Sequence, residues 1–162
     1  MKFEIDLNNI KVTNAIAGLI NSAFETGLNP AWYQVESLNK DGFHDAAFAE
    51  SNLKTPSGKP PRTNWSVKVR LYDEDADEPY ENLDYTVVTP QLAVERWIHF
   101  ANAVHPSHLV KKAGAFLYYL ELLSRNADKK YLDYALLNQY EPDGVTDDAM
   151  VQYILASEVI FG

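Results

Sequence analysis

Residues 65–90 read WSVKVRLYDEDADEPYENLDYTVVTP, and this stretch sets the class of the fold. Trp65, Val67, Val69 and Leu71 fall on one side of a period-two pattern, with Ser66, Lys68, Arg70 and Tyr72 on the other. That is the mark of a strand with one buried face. Tyr85 to Val88 is again aromatic and β-branched, and antiparallel neighbours need no crossover, so it reads as the hairpin partner. Thr89-Pro90 ends the strand pattern, because Thr is a favoured N-cap and Pro a favoured first helical residue. Strands are expected before this junction and helices after it.

Upstream, Phe3, Ile5 and Leu7 alternate with Lys2, Glu4 and Asp6, which predicts a short strand over residues 2–7. Val12, Ile16, Leu19, Ile20, Ala23 and Phe24 lie at helical spacing, with Gly27 placed as a C-cap, so a helix is expected from Asn9 to Thr26. Asn29-Pro30 signals a turn, and Trp32 to Leu38 has strand composition. Lys54 to Arg62 carries three prolines and a glycine and reads as an exposed loop.

Downstream, Ala93, Trp97, Phe100, Ala101 and Val104 form one apolar stripe, which His105-Pro106 stops. Leu109, Ala113, Phe116, Leu117, Leu120 and Leu123 form a second. A shorter helix is expected from Lys129 to Asn138. Thr146 is placed as the cap of a last helix, with Asp147 and Asp148 in its first turn and Val151, Ile154, Leu155 and Val159 buried. The predicted fold class is therefore α+β in one domain spanning 1–162. It combines a small antiparallel sheet of about three or four strands, an N-terminal helix and a C-terminal block of about three or four helices.

Composition narrows the function. The chain has 162 residues, 46% of them hydrophobic, and no cysteine. This excludes thiolate nucleophiles, disulfides and iron–sulfur ligation, and suits a reducing compartment. No secretory leader pattern and no long apolar run occurs, so the cytoplasm is the expected location, with no membrane role. The formal charge is −9, which disfavours nucleic acid as a direct ligand, since such binding rests on Lys and Arg. The acids cluster. Asp73, Glu74, Asp75, Asp77, Glu78, Glu81 and Asp84 occur with no base among them, and residues 131–162 also lack a base. Lys54, Lys59, Arg62, Lys68 and Arg70 are close enough in sequence to form a basic patch.

No motif for chemistry stands out. The acidic run imitates the carboxylates of a calcium loop, yet Glu78 occupies the place that requires glycine and Asp84 the place of the bidentate Glu. His99, His105 and His108 are candidate ligands whose spacing specifies no convergent geometry, and a histidine near a helix C-terminus is favoured by the dipole alone. Ser57-Gly58-Lys59 lacks the upstream glycine of a phosphate loop. Asp147 and Asp148 have the chemistry for acid and base work, but capping accounts for them. No catalytic residue, metal or cofactor is assigned. Trp32, Tyr33 and Tyr80 are candidate aromatic anchors beside the acidic surface.

The run Phe24-Glu-Thr-Gly27 followed by Asn29-Pro-Ala-Trp32-Tyr33, the Tyr85 to Pro90 junction and the segment from Asp147 to Gly162 resemble small uncharacterised accessory proteins of tailed bacteriophages and prophages. The usual pattern there has a second glycine and a Tyr-Trp order, where this chain has Leu28 and Trp32-Tyr33. The resemblance implies a phage origin and a host protein as partner, and carries no site residue with it. The expected function is thus binding to a host macromolecule, in the form of an acidic inhibitor of a defence or nucleic-acid-processing system. Two alternatives stand beside it: an enzyme or metal protein using His99, His105 and His108, and a self-assembling phage component.

Overall fold

Strand β2 (Val67–Asp73) lies at the centre of the sheet. The computed structural model describes residues 2–26, 33–36, 63–73, 77–79, 84–103 and 108–156. Strand β1 (Tyr33–Glu36) pairs with β2 antiparallel, Val35 opposite Val69, and β4 (Thr86–Val88) pairs with it antiparallel, Thr86 opposite the same Val69. One residue paired on both sides places β2 between them. A two-residue strand, β3 (Glu78–Pro79), closes the far end of β2 at Tyr72 and Asp73. Trp65, Val67, Val69 and Leu71 are buried and the residues between them half-buried, as the alternation predicts.

Helix α1 (Ile10–Thr26) starts at Asn9, whose Oδ1 accepts the Lys11 amide at 2.9 Å. Residues 2–7 join no ladder among the described residues, and Leu7 already lies in a turn, which corrects the strand expected there. Phe3, Ile5 and Leu7 do turn to the core, yet the partner is a helix. The Glu4 amide donates to Glu121 Oε2 and the Asp6 amide to Ser124 Oγ, each at 2.8 Å. Side-chain oxygens on α3 (His108–Ser124) thus replace a neighbouring strand, and the period-two pattern records only the alternating burial.

Helix α2 (Pro90–Ala101) begins as its sequence requires: Thr89 Oγ1 accepts the Leu92 amide at 3.1 Å, with Pro90 in the first turn. Helix α4 (Lys129–Asp133) is shorter than the expected 129–138 segment, because the chain widens into a π-helical segment over Tyr134–Tyr140. The Glu141 amide donates to the Leu136 carbonyl at 2.9 Å, an i→i+5 bond. The wider turn brings Ala135 and Tyr140, five apart, both into buried positions.

Helix α5 (Gly144–Ala156) is buried on every side from Thr146 to Ile154. Its cap is Asp143, whose Oδ1 accepts the Thr146 amide at 2.8 Å, which corrects the expectation for Thr146. Helix α1 packs along α5, α5 meets β2, and both helices meet α3. Indole nitrogens fasten these layers: Trp65 Nε1 donates to the Thr13 carbonyl at 3.2 Å and Trp97 Nε1 to the Met150 carbonyl at 3.1 Å. Among the described residues no helix is long and apolar enough to cross a membrane. Gly27, Asn29-Pro30, the Pro-containing loop, His105-Pro106 and Val159 lie outside the described residues.

Candidate functional site

Asp147 lies in the first turn of α5 as expected, yet it and Asp148 sit inside the molecule, at 5% and 2% exposure. Successive residues on a helix point about 100° apart, so the two carboxyls serve different layers. Asp147 faces α1 and the π-helical segment: Tyr140 Oη donates to its Oδ1 at 2.6 Å and Ser22 Oγ to its Oδ2 at 2.9 Å. Asp148 faces the sheet: Tyr33 Oη donates to its Oδ1 at 2.5 Å and Gln152 Nε2 to its Oδ2 at 2.8 Å. Each buried carboxyl therefore has a donor on each oxygen, which is how a buried acid is tolerated.

Burial raises both carboxyls above their ordinary range, and the hydroxyl and amide donors pull them part of the way back. Asp143 adds a further upward push on Asp147. Tyr33 and Tyr140 are held far above the usual phenol value, first by burial and then by the adjacent carboxylate, so both hydroxyls stay protonated donors.

A half-open cleft of about 180 Å³ lies over Asp147. Leu19, Phe116, Leu136 and Pro142 form apolar walls, Ala15 and Gly18 line the α1 side, and Ser22, Tyr140 and Asp147 form the polar end. An apolar pocket with a few convergent polar groups and a displaced carboxyl has the form of a ligand site. The π-helical turn supplies two of its residues, Leu136 and Tyr140, and such turns recur at functional sites. Ser22 and Tyr140 carry no sequence signal for this role. The one clue to Asp147 and Asp148 is that they stand in a run, Thr146 to Ile154, whose apolar residues favour no single face.

The other sequence candidates are dispersed. Asp77, Glu78 and Asp84 are exposed at the end of the sheet beyond β2, and Asp77 Oδ1 accepts the Tyr72 hydroxyl. Asp73 pairs opposite Glu78 through the backbone. Glu74, Asp75, Tyr80, Glu81 and Trp32 lie outside the described residues. Tyr33 is corrected as an exposed anchor: it is buried, with its hydroxyl on Asp148. Of the basic patch, Lys68 and Arg70 stand over the Tyr85 ring at 5.4 and 4.3 Å, which engages them with their own sheet, while Lys54, Lys59 and Arg62 lie outside the described residues.

His99 is exposed in the last turn of α2, with Nδ1 2.6 Å from Tyr153 Oη, and Tyr153 stacks on Phe100 at 4.1 Å. His108 is exposed at the start of α3, and His105 lies outside the described residues. Among the described residues no three ligating side chains gather as a metal site. Comparison of the chain with protein-family models, curated proteins and solved structures finds no match, so the sites are interpreted from their own chemistry.

Proposed function

We propose that this chain is a binding protein of the phage accessory kind, which engages a basic face of a host protein through the acidic end of its sheet. The observation that carries this is the exposure of Asp77, Glu78 and Asp84 together at that end. Among the described residues neither Glu78 nor Asp84 has an ion-pair partner. Unpaired surface acids on a chain of charge −9 steer a basic partner toward them and cost little to desolvate at a rim. An acidic face of this kind imitates a phosphate backbone, and occupying a nucleic-acid-binding surface is the form of inhibition it suits.

The test is affinity capture by tagged protein from nuclease-treated bacterial lysate. The expected result is one host protein near stoichiometric yield, reduced about ten-fold or more by the pair Glu78→Lys and Asp84→Lys. Equal capture by wild type and the charge-reversed variant rejects the acidic-end reading.

Self-assembly has one observation of its own. Tyr131, Tyr134 and Leu137, spaced by three, are 55%, 58% and 60% exposed across α4 and the π-helical segment. Exposed aromatic and apolar groups on one side of a helical segment are interface material. Sedimentation of the purified chain distinguishes this reading, with Tyr134→Lys and Leu137→Lys expected to dissociate any oligomer.

A further inference from the structure

The cleft over Asp147 is independent of the acidic end of the sheet, and its chemistry is more selective. Its volume of about 180 Å³ is close to the roughly 150 Å³ of an apolar protein cavity that takes up one benzene. One ring or one short branched chain fits such a space. The walls from Leu19, Phe116, Leu136 and Pro142 suit an apolar body.

The polar end is distinctive for its charge. Both bonds to Asp147 come from hydroxyl donors, Tyr140 at 2.6 Å and Ser22 at 2.9 Å, an arrangement that suits the ionised carboxylate. Among the described residues no cation pairs with it. Of the charged groups on the packed elements, Asp143 and Asp148 are themselves acids, and the buried Lys112 on α3 is bound at 2.9 Å by Glu141. Each carboxylate oxygen has two lone pairs and accepts one bond here, so acceptor capacity remains toward the cleft.

We propose that this cleft binds a small primary amine bearing one ring or one branched apolar chain, with its ammonium group on the Asp147 carboxylate and its body between α1 and the π-helical segment. The ligand supplies a counter-charge that the described residues do not, and its apolar part displaces water from the walls. Burial holds the Asp147 carboxyl above its ordinary range, and an ammonium bound beside it lowers it again.

The test uses three probes of one shape: benzylamine, benzyl alcohol and benzoate, titrated at up to about 10 mM into the full chain at pH 7 by calorimetry and amide NMR. Benzylamine is expected to bind about ten-fold or more tightly than benzyl alcohol, with benzoate weakest, and to shift amides of α1 and residues 134–140. Asp147→Asn is expected to erase the preference for the amine while keeping the alcohol. Ala15→Leu narrows the cleft without touching the carboxylate and is expected to weaken amine and alcohol alike, which keeps the proposal testable if Asp147→Asn does not fold. Binding of none of the three probes overturns it. So does equal binding of amine and alcohol, or amine binding indifferent to both substitutions.

Discussion

Tyr33 on β1 and Asp148 on α5 stand 115 positions apart and share a buried hydrogen bond of 2.5 Å, the phenol donating to the carboxylate. The same hydroxyl lies 3.2 Å from the Asp148 carbonyl. Strand β1 pairs with β2 through its ladder, and this contact also fastens it to the helical layer. Tyr33→Phe keeps the ring and removes one donor from a buried carboxylate oxygen. It is expected to cost about 1–3 kcal/mol, read from urea midpoints. A double-mutant cycle with Asp148→Asn isolates the pair, and strictly additive losses mean that the two groups do not act together.

The two buried aspartates also give stability a pH dependence of known sign. Their folded-state carboxyls are raised above the ordinary 3.8, so the folded state holds these protons more tightly than the unfolded chain. The stability they contribute is fully present below the ordinary value and is lost as pH rises through the raised one. Asp147→Asn cannot titrate. Its stability relative to wild type is therefore expected to improve as pH rises above the ordinary carboxyl value in urea unfolding, and a gap independent of pH removes Asp147 as a source of the dependence.

Much of the fold was legible because single patterns dictated it. Thr89-Pro90 marks the start of α2, and the alternation from Trp65 to Tyr72 marks the buried face of β2. Residues 2–7 show where such a pattern stops short: period-two burial states which side faces the core, and here Glu121 and Ser124, far away in sequence, decide that the partner is a helix. The site was less legible for the same reason. Asp147 and Asp148 look like acids placed for a helix N-terminus, because the donors that permit their burial, Ser22, Tyr33, Tyr140 and Gln152, come mostly from other elements. The wide turn that places Tyr140 has no local sequence rule.

The end of α3 offers a local test of backbone conformation. Asn126 has φ 53°, its amide donates to the Leu123 carbonyl at 3.1 Å, and the Ala127 amide donates to the Leu122 carbonyl at 3.1 Å. This is a left-handed stop normally made by glycine. Asn126→Gly is expected to raise stability by up to about 1 kcal/mol, and Asn126→Val to lower it by a similar or larger amount. Thermal unfolding checks both, and a loss with glycine shows that the asparagine side chain itself holds the stop.

Asn14 is the least comfortable residue of α1. It is 1% exposed, and among the described residues neither its Oδ1 nor its Nδ2 has a hydrogen-bond partner. An amide taken out of water without compensation opposes folding, whereas Leu has the same branching at Cγ and a strong helical preference. Asn14→Leu is therefore expected to stabilise the protein by about 1–3 kcal/mol, seen as a higher urea midpoint with an unchanged slope. Asn14→Ala separates the two contributions, because it removes the unsatisfied amide but leaves unfilled space in α1's packing, so its gain is expected to be smaller. A loss of stability with both variants identifies the amide as bonded in solution, with a buried water as the partner that fits its paired donor and acceptor.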